Sequence, residues 1–72
     1  MSFDTEYERM RREYMQLRGR VIFRQDRAAE AASEDLARAM RELCTVSGSD
    51  LRELATFLRD ADYDLIAHFS PT

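Results

Sequence analysis

The fold of this chain depends on how the stretch RGRVIFRQDR, residues 18–27, is interpreted. Its alternation of arginine with Val21, Ile22 and Phe23 is typical of a short basic strand. The same residues also fit the middle of a long helix. A basic strand would indicate a DNA-binding protein and a helix would indicate a protein-interaction module, so the flanking sequence has to separate the two.

Apolar residues recur at helical spacing on both sides of this stretch. At about 100° per residue they fall within about 60° of one direction, and only the Gln25 position interrupts them. The spacing predicts one long helix over about residues 3–45, kinked, if anywhere, at Gly19. The stripe comprises Phe3, Tyr7, Met10, Tyr14, Leu17, Val21, Ala28, Ala32, Leu36, Ala39 and Leu43, with a thinner seam of Met15, Ile22, Ala29, Met40 and Cys44 beside it.

A second helix follows the turn sequence TVSGSD, residues 45–50. Gly48 closes the first element, and Ser49 or Asp50 caps the next one. The second helix is predicted over about residues 50–69. Its apolar face consists of Leu51, Leu54, Leu58, Ala61 and Leu65 at three- and four-residue spacing.

These elements predict an all-α helical hairpin with unequal arms, about 60 Å and about 30 Å long. The short arm cannot cover the first half of the long one, and an apolar stripe left in water would be too large for a stable monomer. We therefore expect a homodimer that forms a helical bundle. The predicted domain spans residues 1–72, with frayed tails at 1–2 and 70–72. The predicted dimer interface comprises Phe3, Tyr7, Met10, Tyr14, Leu17 and Val21.

Composition sets further limits on the chain. With 72 residues it buries only about 60% of its unfolded surface, so a partner or a second copy is the expected source of added stability. Its net charge is −3, and all 11 basic residues are arginine. The chain lacks an apolar run long enough for a membrane span and its acidic N-terminal segment lacks a signal pattern, so a cytoplasmic location is expected. Size and composition fit a bacterial or phage protein.

Residues with catalytic or metal-binding chemistry are few. Cys44 is the one cysteine and His68 the one histidine, and neither lies in a nucleophile or zinc motif. The DADYD segment, residues 60–64, has the opening spacing of a calcium loop but lacks its glycine and its final glutamate. We therefore expect no enzyme activity, no cofactor and no metal site. Asp62 points toward the apolar stripe of its helix, which predicts an arginine partner.

Phe23 is the unusual residue of the long helix. It lies almost opposite the apolar stripe, among Arg20, Arg24 and Arg27. An exposed aromatic side chain surrounded by arginines has the composition of a protein-binding hot spot. The alternative is that the four-helix arrangement of the dimer buries Phe23 from another side. Tyr63, exposed among acidic residues on the second helix, completes the predicted partner-binding set.

A strand at residues 20–25, followed by a helix, the VSGSDLREL segment and another helix, loosely resembles the ribbon–helix–helix family of dimeric DNA-binding regulators. The resemblance implies that Arg20, Arg24 or Gln25 faces the major groove of DNA. The acidic net charge, the long segment before the turn and the extra helix over residues 1–18 weigh against it.

The sequence thus favours a small acidic protein that binds and masks or adapts another protein, as an inhibitor, anti-activator, adaptor or chaperone does. The alternative is a ribbon–helix–helix-like transcriptional regulator. A third interpretation is a structural subunit that folds only within a larger complex.

Overall fold

The structure is a computed structural model that describes residues 3–69, and it contains three α-helices. Helix α1 spans Phe3–Arg24, α2 spans Arg27–Ser47 and α3 spans Leu51–Phe69. The all-α class and the second predicted helix are confirmed. The predicted continuous helix over residues 3–45 is wrong, because the chain reverses direction between α1 and α2. Residues 1–2 and 70–72, predicted to be frayed tails, lie outside the described part.

The reversal occurs at Gln25 and Asp26, not at Gly19. Gln25 adopts a left-handed backbone conformation with φ of 54°, and its N–H donates to the Val21 carbonyl at 3.2 Å, which ends α1. Asp26 is the N-cap of α2, and its carboxylate accepts from the Ala29 N–H at 3.2 Å. Two residues therefore suffice to stop one helix and start the next, and Gly19 remains inside α1.

The second reversal confirms the predicted turn. Gly48 has φ of 70°, where glycine avoids the steric cost that other residues meet. Its N–H and that of Ser49 bond to the last carbonyls of α2. Asp50 caps α3 by accepting from the Arg52 N–H at 2.9 Å.

The helices form an up–down–up bundle whose Cα extents are 39 × 25 × 19 Å. Helices α1 and α3 run parallel to each other, because the early pair Tyr14–Phe57 and the later pair Arg18–Asp62 follow the same order along both helices. Helix α2 runs antiparallel to both, since a short turn joins it to each.

The core lies between all three helices, and the face of α2 that it contains differs from the predicted one. In α2 the buried face contains Met40 and Cys44, which belong to the thinner seam, together with Ser33 and two alanines. The stripe alanines of α2, by contrast, are exposed. Alanine is tolerated on both the buried and the exposed face of a helix. The apolar pattern therefore does not reveal that the buried face of α2 is rotated relative to the stripe predicted for a continuous helix. The buried residues of the core cluster are Met10, Tyr14, Ala37, Met40, Cys44, Leu54 and Ala61.

The reason for expecting a dimer does not hold in this bundle. Met10 and Tyr14 are buried in the chain's own core, and Phe3 and Tyr7 pack against that core. Leu17 and Val21, the other residues of the predicted dimer interface, are half-buried within the single chain. Helices α2 and α3 thus cover the surface that a second copy was expected to cover, and dimerisation remains a prediction without this support.

Residues 20–24 are helical, and no strand occurs among residues 3–69. The prediction of a basic strand at residues 20–25, which the ribbon–helix–helix resemblance requires, is therefore wrong for this chain. In the same described range, no helix combines the length and hydropathy that a bilayer span requires.

Candidate protein-binding surface

A partly buried polar cluster joins the three helices in the middle of the bundle. Arg18 of α1 donates from Nε and Nη2 to the two carboxylate oxygens of Asp62 at 2.8 and 2.6 Å. Its Nη1 also donates to the hydroxyl of Ser33 in α2 at 3.0 Å, and that hydroxyl donates to the Glu30 carbonyl at 2.7 Å. The arginine partner predicted for Asp62 is thereby confirmed. The carboxylate raises the pKa of Arg18, chiefly through the side-chain hydrogen bond.

The main cluster of buried apolar side chains lies on one side of these polar residues in every helix. Its members precede Arg18 in α1, precede Asp62 in α3 and follow Ser33 in α2. The residues beyond the cluster, 19–24, 27–32 and 63–68, form what we call the Phe23 end of the bundle. Apolar side chains lie there as well: Ala29 and Leu65 are buried, whereas Phe23 is 53% exposed and Ile66 48% exposed.

An open apolar groove between α1 and α3 occupies part of the Phe23 end. It has a volume of about 630 Å³ and is lined by Met15, Gln16, Gly19, Phe23 and Leu65. We call it the α1–α3 groove. Leu65 forms its α3 wall and is buried, whereas Phe23 forms an exposed wall on α1. The lining is apolar apart from Gln16, which is the usual character of a binding pocket.

The groove continues along α1 toward the start of the bundle. The extension has a volume of about 520 Å³ and shares Met15 and Gln16 with the groove. Arg11 lies over the Phe57 ring there, with its guanidinium carbon 4.6 Å from the ring centroid. The other residues that line the extension are Glu8, Arg12 and Asp64.

A second depression, of about 590 Å³, lies on the other side of Phe23. Arg20 and Arg24 line it together with Phe23, so the structure brings together three of the five residues predicted to bind a partner. Glu13 also lines it and forms an ion pair with Arg9 at 3.7 Å. The remaining lining residues are Gln16, Leu17 and Gly19.

The arginines around Phe23 lack carboxylate partners within residues 3–69. Arg20, Arg24 and Arg27 are exposed, and none forms an ion pair there, whereas Arg9, Arg11, Arg18, Arg38, Arg52 and Arg59 each do. Arg27 also lies in the first turn of α2, where the helix dipole disfavours positive charge. These guanidinium groups therefore contribute little to the stability of the described bundle, and their charges face solvent.

Gly19 lies inside α1 and forms part of the walls of both depressions. A Cβ atom built at this position meets no other atom within 4 Å, so packing within the chain does not require glycine there. Glycine in a helix interior costs about 1 kcal/mol relative to alanine. Its consequence at this position is a half-buried strip of helix backbone without a side chain beside Phe23.

The other two predicted partner-binding residues lie on the other two helices. Tyr63 is 73% exposed on α3 and lines neither depression beside Phe23. Arg27 begins α2 and also lines neither. The predicted binding set is thus only partly contiguous, and the periodicity of α1 gave no indication that Met15 and Leu65 would complete the surface.

The residues with catalytic potential are separated. Cys44 is 2% exposed beside the α2–α3 turn, and its burial raises the pKa of the thiol. His68 lies at the opposite end of α3, so the two side chains cannot act as a pair. In the described residues, no three histidine, cysteine or carboxylate side chains lie close enough together to hold a metal ion.

The groove was not apparent from the sequence, because it combines side chains from two helices whose relative position depends on the break at Gln25. In the sequence, helical spacing indicates core positions for Met15 and Leu65, and Gly19 indicates only a possible kink. Comparison with protein-family models, with curated proteins and with solved structures finds no match, so the surface described above is the basis for inferring function.

Proposed function

We propose that this chain is a small protein-binding module that acts by occupancy, so that its Phe23 end masks or completes an apolar surface on another protein. Inhibitors, anti-activators, adaptors and chaperones all work in this way. The observation that carries the proposal is the apolar α1–α3 groove beside the exposed Phe23 and the arginines that lack carboxylate partners within residues 3–69.

The chemistry of this surface favours protein over other ligands. Aromatic residues and arginine are enriched at the energetically important centres of protein interfaces. Phe23 supplies apolar area, and Arg20 and Arg24 supply donors in the adjoining depression. The hydrophobic core lies mostly on the other side of the Arg18–Asp62 pair, so a partner bound at the Phe23 end would leave the folded core intact.

Site-specific photo-crosslinking in the native host tests the proposal. A photoreactive amino acid replaces Gln16, which lines the groove, or Arg38, which is exposed on α2 as the matched control. The proposal expects one protein to crosslink at position 16, not at position 38, and to be lost in a Phe23→Ala background. Equal crosslinking at both positions, or none at position 16, would contradict it.

DNA binding is the alternative that the same arginines allow, although the strand on which it was based is absent from the described residues. Phosphate contacts make such binding strongly dependent on salt. Fluorescence anisotropy with random-sequence duplex DNA at low salt separates the two functions. Tight binding that Arg20→Glu abolishes would favour the alternative, and the proposal expects none.

A further inference from the structure

Building on the proposed function, we infer that the partner presents an acidic amphipathic helix, which lies along the α1–α3 groove and places an apolar side chain against Gly19 and Phe23. The helix would run beside α1 and α3 as a fourth member of the bundle. Three features of the groove lead to this occupant: its shape, its glycine and its charges.

The length of the groove suits a helix. The groove and its extension together reach from Arg11 to Phe23 along α1, which corresponds to about 18 Å at 1.5 Å per residue. A helix of about 12 residues covers that distance and presents three apolar side chains at three- and four-residue spacing. The parallel helices α1 and α3 form the two walls, as neighbouring helices do in a four-helix bundle.

Gly19 allows the partner to approach closely. Because its missing side chain leaves open space on the groove wall, the backbone of a second helix can come nearer to α1 there than at any bulkier residue. The cost of glycine within a helix is otherwise unexplained by contacts in the described residues. A partner helix in the groove gives this glycine a structural role.

The charges specify the flanks of the partner helix. On the α1 side, Arg20 and Arg24 lie beside Phe23 and Arg12 lies in the extension, and within residues 3–69 none of the three has a carboxylate partner. The acidic residues that line the same depressions, Glu13 and Glu8, form ion pairs with Arg9 and Arg11. The three arginines without partners favour aspartate or glutamate on the flank of the partner that faces α1. On the α3 side, Asp64 lines the extension and favours a basic residue on the opposite flank.

A displayed peptide library tests the inference without knowledge of the natural partner. The 72-residue chain selects from phage-displayed helical peptides in which the apolar face and both flanks are randomised. We expect the enriched peptides to carry apolar residues at helical spacing with carboxylates along one flank. Absence of enrichment, or enrichment of basic or non-helical sequences, would overturn the inference.

Variants then locate the enriched peptide on the surface. Gly19→Met fills the groove and should weaken binding by roughly tenfold or more, as loss of an anchor contact does, while Gly19→Ala, whose methyl group fills less of the space, should weaken it less. The melting temperature of both variants should equal or exceed that of the wild type, which shows that a loss of binding is not a loss of fold. Peptide binding that Gly19→Met leaves unchanged places the peptide elsewhere and overturns the inference.

A matched pair of charge reversals tests the flanks. The double variant Arg20→Glu with Arg24→Glu should bind the enriched peptide roughly tenfold more weakly than the wild type does. The same variant should regain affinity for a version of the peptide in which lysine replaces the acidic residues. Arg38→Glu with Arg52→Glu changes the net charge equally at positions away from the groove and should have little effect. If both double variants lose the same peptide affinity, the loss follows from net charge alone and the inference is overturned.

The same experiments distinguish other molecules that could occupy the α1–α3 groove. Light scattering that shows a dimer of the wild type and a monomer of Gly19→Met would assign the groove to a second copy of this chain. Duplex DNA that competes with the peptide for Arg20 would assign it to nucleic acid. A host protein that crosslinks at position 16 but binds through a basic or non-helical segment would preserve the proposed function and refute only the helical, acidic partner.

Discussion

Arg18 and Asp62 form a two-point salt bridge that ties α1 to α3, with N–O distances of 2.8 and 2.6 Å. The arginine side chain is 16% exposed and the aspartate side chain 41% exposed. Because Ser33 of α2 also accepts from this guanidinium, one arginine of α1 bonds to both other helices at the edge of the main core cluster.

Removal of only one partner of this pair should be costly. Asp62→Ala leaves the poorly solvated Arg18 charge without its carboxylate, so we expect a loss of about 1–3 kcal/mol in the free energy of unfolding. Replacement of both residues, as Arg18→Met with Asp62→Leu, should cost less than the sum of the single changes. Urea unfolding of the wild type, Arg18→Met, Asp62→Leu and the double variant measures the coupling, and strictly additive losses would contradict the pairing.

The two glycines should respond oppositely to alanine. Gly19→Ala should stabilise the protein by about 0.5–1 kcal/mol, because the new methyl group meets open space in a helix interior. Gly48→Ala should destabilise it by about 1 kcal/mol, since its φ of 70° is strained for a residue with a Cβ atom. Thermal unfolding of both variants gives the signs, and a stabilising Gly48→Ala would refute the assigned turn geometry.

The break between α1 and α2 makes a further prediction. Gln25 has φ of 54°, so Gln25→Gly should be neutral or stabilising by up to about 1 kcal/mol. Asp26→Ala removes the cap on the Ala29 N–H and should cost about 1 kcal/mol. Destabilisation by Gln25→Gly, as expected for glycine inside a continuous helix, would argue for the uninterrupted helix and against the bundle.

Alkaline pH should weaken the fold. Burial is the largest cause that raises the pKa of Tyr7, Tyr14 and Cys44 above their ordinary values of 10.0, 10.0 and 9.0. The unfolded chain loses these protons first as the pH rises, so the stabilisation is complete below about pH 9 and decreases above it. Urea unfolding between about pH 8 and about pH 11 measures the decrease.

Variants assign this pH dependence to particular side chains. Tyr14→Phe removes a buried phenol and should flatten the decrease in stability above pH 10. Tyr63→Phe removes an exposed phenol and serves as the matched control, with the wild-type decrease expected. Equal slopes for the wild type and Tyr14→Phe would exclude the Tyr14 phenol as a source of the effect.

Cys44 should react only when the protein unfolds. Its thiol is 2% exposed and its pKa is raised by burial, so the reactive thiolate is scarce and inaccessible in the native state. Labelling with an alkylating reagent should therefore be slow in buffer and rapid in denaturant, and the destabilised Asp62→Ala variant should react faster than the wild type. Rapid labelling of the folded wild type would contradict the position of Cys44 in the core.

The chain sequence by itself determined the helical class, the turn at Gly48, the position of α3 and the need of Asp62 for an arginine. These features depend on local chemistry: apolar spacing, a left-handed glycine, a capping carboxylate and the cost of an unpaired charge. The exposed position of Phe23 also follows from helical phase, and the structure leaves it 53% exposed.

Only the tertiary structure decided where the long apolar stripe divides and what each part contacts. Two residues, Gln25 and Asp26, reverse the chain, and alanines in α2 fit either face, so local periodicity could not distinguish one helix from two. Once α1 folds back, Met10 and Tyr14 enter the chain's own core, while Met15, Gly19 and Leu65 meet to form the groove. The groove joins residues far apart in sequence, and its existence depends on the packing of α1 against α3, which no local pattern encodes.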